Sequence, residues 1–383
     1  MIRSALRRGT VIATLTATAL SLTAGAASAS VPHWRTVPPP AVPAGDSAGL
    51  TSVSMTGPSD GWAVGFAYPN KPPFAFRQFA AHWDGHRWRT AALPHGLPKF
   101  VRLNGVAALS PSDAWAVGDS PHSSSVPLIM HWNGHRWATV PSAPIPKNGF
   151  SELLGVAAHS PTDVWAVGNA ENLKTGLTRT VIEHWDGHRW RLVPSPNLGN
   201  QSFLTAVTTT STGAAWAVGG SLTTTGAFVI RWAGHAWVTA ATPRTSADIN
   251  LESVTAVSPA QVWAVGESAS GTSPSRPYAL HWNGHTWASV SVPNAGPAQD
   301  QRKLISITAT GLGQLDAVGY DNGAQLHPFY AHWDGHRWSV RVGPPNGAAL
   351  SAVSSDGRRQ WAVGSKDVPH STFALTPFIQ VSG

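Results

Sequence analysis

An imidazole recurs at one fixed point of a repeated phrase. His86, His135, His188, His235, His285 and His336 each follow a glycine in the pattern HW(D/N)GHxW or, once, RWAGHAW. Imidazoles at regular spacing suggest metal binding, because a neutral ring nitrogen is a common ligand. A metal ion needs its ligands gathered at one point. These six are separated by whole repeats, roughly 45–55 residues long, the spacing of propeller blades. Units set radially cannot bring them together. Each is therefore expected to pack beside the Trp of its phrase and to bond locally, with no metal and no other cofactor. His82 with Arg87, and their equivalents, read as polar cross-strand pairs.

Other chemistry is thinly supplied. There is no Cys, which removes thiolate chemistry, Cys–metal sites and disulfides. Paired carboxylates that cleave glycosidic bonds stand about 5–10 Å apart. Here they can be drawn only from scattered loop acids, Asp119, Glu171, Glu267 and Asp321. A tyrosine nucleophile has four residues to draw on, Tyr68, Tyr278, Tyr320 and Tyr330. Asp316 stands where six other repeats carry Trp. Either a neighbour fills the lost ring's space, or a pocket opens with Asp316 as a polar anchor and Tyr320 beside it. Both accounts need a donor near the carboxylate, since a buried charge without a partner is costly.

The elements that must position these residues are legible in the repeat. WAVG opens at Trp62, Trp115, Trp165, Trp216, Trp263 and Trp361, and a seventh copy reads DAVG from Asp316. One unit reads as four strands: Leu103–Leu109, Ala114–Gly118, Pro127–Trp132 and His135–Val140. Ser110-Pro111-Ser112-Asp113 is a turn by composition. Asn133-Gly134 reads as a two-residue type I′ hairpin turn, and Asp84-Gly85 likewise. In that frame Trp83 faces His86 and Ala81 faces Trp88. Four antiparallel strands per unit make the blade of a β-propeller.

Fourth-strand tryptophans number seven, from Trp34 to Trp338. Trp34 precedes any complete unit, and the last unit, Leu350 to Ile379, has only three strands. The segment His33–Val37 supplies the missing strand, giving an all-β, seven-bladed ring closed by an N-terminal outer strand.

A strand ending in Gly, then an aromatic, then a Trp a few residues later, resembles the kelch motif over essentially the whole mature chain; Gly219-Gly220 is the one double copy. Trp83 and Trp132 stand where kelch repeats usually carry Tyr, and most copies keep a single Gly. The resemblance implies a propeller like the central domain of galactose oxidase, of a secreted bacterial type, and a binding scaffold more often than an enzyme. Galactose-oxidase-type copper chemistry needs a Cys cross-linked to a Tyr, and the chain lacks Cys. The Asp84-Gly85…Trp88 turn also loosely resembles the sialidase Asp-box, which places a residue between Asp and Gly.

Residues 1–29 read as a secretory signal: Arg3, Arg7 and Arg8, an apolar stretch Val11 to Leu22, and the cleavage site Ala27-Ser28-Ala29. The apolar stretch is too short to span a membrane. Residues 30–383 then form one domain. The formal charge of +7 is spread out, without a nucleic-acid-like basic run. Two turn classes are uniform, whereas the loops between second and third strands and between blades vary. Examples are Asp119–Val126, Asn169–Arg179, Glu267–Arg276, Pro141–Glu152 and Pro293–Lys303. In an antiparallel blade these variable classes emerge on one face of the disc, and binding residues favour variable loops on a rigid frame. The candidate ligand-binding residues are Asp119, Glu171, Arg179, Glu267, Arg276, Asp316, Tyr320 and Asp321. The chain is expected to be a secreted monomer that binds an extracellular glycan or protein. The competing expectation is a polysaccharide-acting hydrolase or lyase on the same face.

Overall fold

The computed structural model describes residues 31–383 except 98–99, 120–126, 145–148, 197, 312, 370 and 372–373. The leader segment 1–29 and most of the loop 119–126 lie outside the described residues. The described chain forms seven four-stranded antiparallel sheets. Blade 1 shows the plan, with strands Asp46–Gly57, Asp60–Pro69, Arg77–Trp83 and Trp88–Thr90 from the inside outward. Blades 2 to 6 span residues 102–139, 149–192, 202–239, 248–289 and 301–342. Blade 7 takes residues 348–382 for three strands. Its outermost strand is Trp34–Val37, which pairs antiparallel with the C-terminal strand, Trp34 opposite Ser382 and Val37 opposite Ile379.

Tryptophan holds the blades together. The second-strand Trp62 of blade 1 lies against Trp132 and Trp137 of blade 2, with ring centroids 4.8 and 5.0 Å away. Trp115 meets Trp185 and Trp190 in the same way, and Trp165 meets Trp232 and Trp237. Trp115, Trp165 and Trp263 are buried. Each junction combines one tilted and one edge-to-face contact, the arrangements that ring quadrupoles favour. The third-strand rings also anchor a turn: Trp83 Nε1 donates to Pro58 O at 3.0 Å, and Trp132 Nε1 to Pro111 O at 3.0 Å.

The hairpin frame differs from the sequence reading by one residue at each arm. Trp83 faces Trp88, and His82 faces Arg89. The turn is centred on Gly85 and His86, closed by Asp84 N donating to Arg87 O. Gly85 has φ 88°, as a type II′ turn requires at its first central residue. Asp84 Oδ1 accepts from the backbone N–H groups of His86 and Arg87 at 3.0 and 2.9 Å. That side-chain cap, which Asn133 and Asp186 repeat, decides the frame over the expected type I′ turn.

The histidines are corrected in the same step. His86, His135, His188, His235, His285 and His336 sit exposed at turn tips and do not pack beside their tryptophans. The packed histidines belong to the preceding HW pair. His82, His131, His184 and His281 lie over the second-strand Trp of their own blade with centroids 4.6, 4.3, 4.2 and 4.2 Å apart. Three of them place Nε2 on the turn carboxylate below, at 2.7 Å for Asp60, 2.9 Å for Asp113 and 2.8 Å for Asp163.

Blade 6 breaks this pattern coherently. Its turn carries Gln314 in place of the Asp, and the carboxylate appears two residues on as Asp316. His332 Nδ1 donates to Asp316 Oδ1 at 2.8 Å, and both are buried. Across the junction, blade 7 has Ser382 where the other blades carry a third-strand Trp. Tyr330 stacks on Trp34 in this region, centroids 5.6 Å apart.

Candidate functional site

Every inner strand bulges at the same level. Register shifts occur between Leu50 and Ser52, Leu103 and Gly105, Leu153 and Gly155, Leu204 and Ala206, Leu251 and Ser253, Leu304 and Ser306, and Leu350 and Ala352. The WAVG glycine makes room for the bulge. A Cβ on Gly118 would lie 1.9 Å from the carbonyl oxygen of Arg102, and one on Gly65 2.0 Å from that of Gly49. The inserted residues are Thr51, Asn104, Leu154, Thr205, Glu252, Ile305 and Ser351, and they border a central cavity of about 160 Å³. Several link blades: Thr51 Oγ1 donates to Leu103 O at 2.7 Å, Asn104 Nδ2 to Leu153 O at 3.0 Å, and Thr205 Oγ1 to Leu251 O at 2.6 Å.

Directly beyond the bulge, toward the variable face, the repeat stops being a repeat. The residue after the WAVG glycine and its registered inner-strand partner differ in each blade. The pairs are Phe66 with Gly49, Asp119 with Arg102, Asn169 with Glu152, Gly220 with Phe203, Glu267 with Asn250, Tyr320 with Lys303, and Ser365 with Ala349. Neighbouring pairs touch across blades; a Cβ on Gly220, for instance, would lie 2.4 Å from Asn250 Oδ1. Together they form a belt around the channel mouth, polar at blades 2, 3, 5 and 6 and apolar or small at blades 1, 4 and 7.

Two charged clusters dominate the belt. At blades 2 and 3, Arg102 Nη2 donates to Asp119 Oδ2 at 3.0 Å, and Asn104 Nδ2 donates to Asp119 Oδ1 at 3.1 Å. Burial and the neighbouring Asp119 charge hold the Glu152 pKa above its ordinary value, against a hydrogen bond from Asn169 and the Arg102 charge. At blades 5 and 6, Lys303 Nζ lies 3.7 Å from both Glu252 Oε1 and Glu267 Oε1. The ammonium also lies 5.4 Å from the centroid of the Tyr320 ring. Burial raises the Glu252 pKa despite Lys303. Burial alone would lower that of Lys303, but Glu252, Glu267 and Tyr320 together leave it raised. Each cluster carries more carboxylates than cations, so the mouth offers acceptors for hydroxyl and N–H groups beside single anchored cations.

Of the eight sequence candidates, Asp119, Glu267 and Tyr320 stand in the belt. Glu171 and Arg179 stand apart, beside a groove of about 700 Å³ in blade 3 floored by Ala170, Val181, Ile182 and Val193. Asp321 and Arg276 are occupied in shaping a loop. Arg302, fully buried, pairs with Asp321 and donates to Asn294 Oδ1 and Pro297 O, each at 3.0 Å. Arg276 holds the same loop through the carbonyls of Asp300, at 3.1 Å, and Ala298. Asp316 lies near the opposite, uniform face, in the buried pair with His332. Sequence reasoning missed Arg102, Glu152, Glu252 and Lys303. For Arg102, Glu152 and Lys303 the signal was the residue after each WAVG glycine, read with its cross-strand partner; Glu252 is a bulged residue outside that pairing. Among the described residues no three His, Asp or Glu gather closely enough to hold a metal ion.

The ring has counterparts of known structure. At 15% identity and TM-score 0.54, it is similar to YCF48 bound to D1 peptide, over 92% of this chain and 99% of that one. It is similar to a protein of unknown function from Dyadobacter fermentans at 9% identity and TM-score 0.55, over 92% and 100%. The SapL1 lectin in complex with alpha methyl fucoside aligns at 13% identity and TM-score 0.48, over 78% and 97%. At these identities the likeness to the first two establishes the propeller fold alone. No family model and no curated protein matches the chain.

Proposed function

We propose that the chain is an exported, kelch-like recognition module that binds a polar extracellular ligand, a glycan or a segment of protein, on its variable face. One observation carries this reading. Six blades share WAVG and the seventh keeps its AVG, and all seven then differ at the next residue and its registered partner, around one channel mouth. A frame repeated for packing has no packing reason to become individual there in every blade, whereas a binding surface does. YCF48, similar in fold, was solved with a peptide bound. The leader-like segment supports export.

The test is a glycan array and a peptide library screened with purified residues 30–383. Lys303→Ala and Tyr320→Ala, at part-exposed positions of the belt, are expected to weaken the ligand found by about tenfold or more, as for anchoring residues. Binding that survives both substitutions would overturn the assignment.

A second reading has one specific observation behind it. The Glu252 and Glu267 oxygens are each 3.7 Å from one ammonium, so they lie no farther apart than twice that distance. That upper bound is compatible with the separation of about 5–10 Å for paired glycosidase carboxylates. Burial also biases Glu252 toward its protonated form, as a general acid requires. Polysaccharide cleavage by the purified protein, abolished in Glu267→Gln, would establish a hydrolase or lyase in place of a binder.

A further inference from the structure

Blade 3 reaches farther toward the variable face than the blade before it. Its third strand runs nine residues, Leu177–Trp185, whereas that of blade 2 runs five, Leu128–Trp132. The two strands end on equivalent tryptophans, so all the extra length lies on the variable side. The groove of about 700 Å³ lies along this overhang. Ligand sites commonly enclose about 300–1,000 Å³.

Strand pairing sets a row of groove residues on one face of the blade. Ser151 pairs with Ala170, and Ala170 pairs with Arg179. Side chains directly opposite one another share a face of the sheet. Val181, two residues on from Arg179, joins that face and belongs to the apolar cluster that contains Trp115 of blade 2. Leu192, on the fourth strand opposite Glu183, carries the row to the rim and is 43% exposed. Glu171 follows Ala170 in its strand and so projects from the other face. The charge on the groove's face is therefore that of Arg179.

Three groups along this aliphatic floor can donate a hydrogen bond and have no acceptor among the described residues. Ser151 is fully buried, and its hydroxyl has no hydrogen-bond partner. Arg179 is exposed and enters no ion pair or hydrogen bond. Asn172 accepts at Oδ1 from Lys174 N at 3.0 Å, which leaves its amide N–H groups unused. A buried hydroxyl without a partner is costly, and an acceptor brought by a ligand removes that cost.

The occupant must then carry acceptors at intervals, aliphatic groups between them and a negative charge near Arg179. An acyl chain has acceptors at one end only. Sugar rings stack on aromatic faces, and no described residue lining the groove is aromatic. An extended peptide offers a carbonyl at every residue. Ser151 and Leu192 stand on the first and fourth strands. Three strand spacings of about 4.8 Å separate those strands, roughly 14 Å in all, which about four extended residues of ~3.3 Å each would span.

We infer that the blade 3 groove binds an extended peptide segment, with an aliphatic side chain against Val181 and Leu192 and an Asp or Glu carboxylate at Arg179. The inference is independent of the belt, because none of the residues it uses belongs to the belt.

An array of random hexapeptides, incubated with purified residues 30–383, is the probe. The parent is expected to enrich peptides that place Asp or Glu within two residues of Leu, Ile or Val. Arg179→Glu, at an exposed position, should exchange the acidic preference for Lys or Arg, an outcome that misfolding cannot produce. Leu192→Asp should weaken the best parental peptide by about tenfold or more. An acidic preference that persists in Arg179→Glu, or an array with no enrichment, overturns the inference. A peptide insensitive to both substitutions but lost in Lys303→Ala is held by the belt; that result overturns the inference and leaves the proposed function standing. Binding of decanoate without binding of any peptide overturns it as well.

Discussion

Trp361, in the last blade, packs against Trp83 of the first, their ring centroids 4.5 Å apart at 50°. The contact joins residues from opposite ends of the chain with the geometry used between consecutive blades, and Trp88 completes it edge-on at 5.8 Å. Trp361→Ala is expected to cost about 3–5 kcal/mol, as for other large buried aromatics. Urea denaturation measures it. In a double-mutant cycle, Trp361→Ala and Trp83→Ala should be strongly non-additive, because each removes the other's partner. Additive losses would mean that the rings do not hold the junction.

The strand Trp34–Val37 gives a separate test of how the ring is closed. Deleting residues 30–38 removes buried Trp34 and exposes the edge of the C-terminal strand. The loss should be several kcal/mol, on the order of that for a large core residue together with its strand pairing. An unchanged melting temperature would show that this strand is dispensable for closure.

Asp316→Trp restores the repeat in sequence and is expected to destabilise the protein. Tyr330 is stacked on Trp34 beside this position, and His332 would lose its acceptor. Overpacking of this kind costs about 1–3 kcal/mol. Adding Tyr330→Ala should recover part of the loss. A single variant as stable as the parent would show that the space is open.

Glu183 gives the protein a defined pH response. Its fully buried carboxylate accepts from Ala143 N at 2.9 Å and Ser142 Oγ at 2.8 Å, and burial nevertheless pushes its pKa up. A carboxylate with a raised folded pKa stabilises the fold fully below its unfolded value, here 4.5. That contribution is lost as pH rises through the folded value. Glu183→Gln removes the proton loss, so its stability should gain on the parent's between about pH 4 and pH 7. A constant difference across that range would contradict the sign.

Gly118→Ala tests the bulge. The added methyl would lie 1.9 Å from the Arg102 carbonyl oxygen, whereas one on Gly57 would meet nothing within 4 Å. The first should cost about 3 kcal/mol or more, at the upper end of overpacking effects, and the second little. Equal, small effects would mean that the glycine is not required by the bulge.

The blades were legible because buried positions recur. Trp62, Trp83 and Trp88 each face a packing demand that every blade repeats, and a short phrase records it. The hairpin frame was misread because Asp84 caps the turn with its side chain, which composition does not distinguish from a place at the turn's centre. The belt was half seen. Asp119, Glu267 and Tyr320 follow a conspicuous glycine, but Arg102 and Lys303 become partners of Asp119 and Tyr320, and Glu152 of Asn169, only through the register that the bulge sets. Glu252 is itself the bulged residue, and no local propensity marks it. The tip histidines were assigned to packing because the frame was one residue out.

The bulge has a consequence for how this protein changes. Because it sits between the constant interlock and the belt, the positions beyond it can change without touching the tryptophan contacts that join the blades. Two residues per blade can be reassigned while the glycine, the leucine and the tryptophans stay as they are. Specificity is in that sense modular: a new ligand requires new lettering at the mouth, on a scaffold that need not be refolded to receive it.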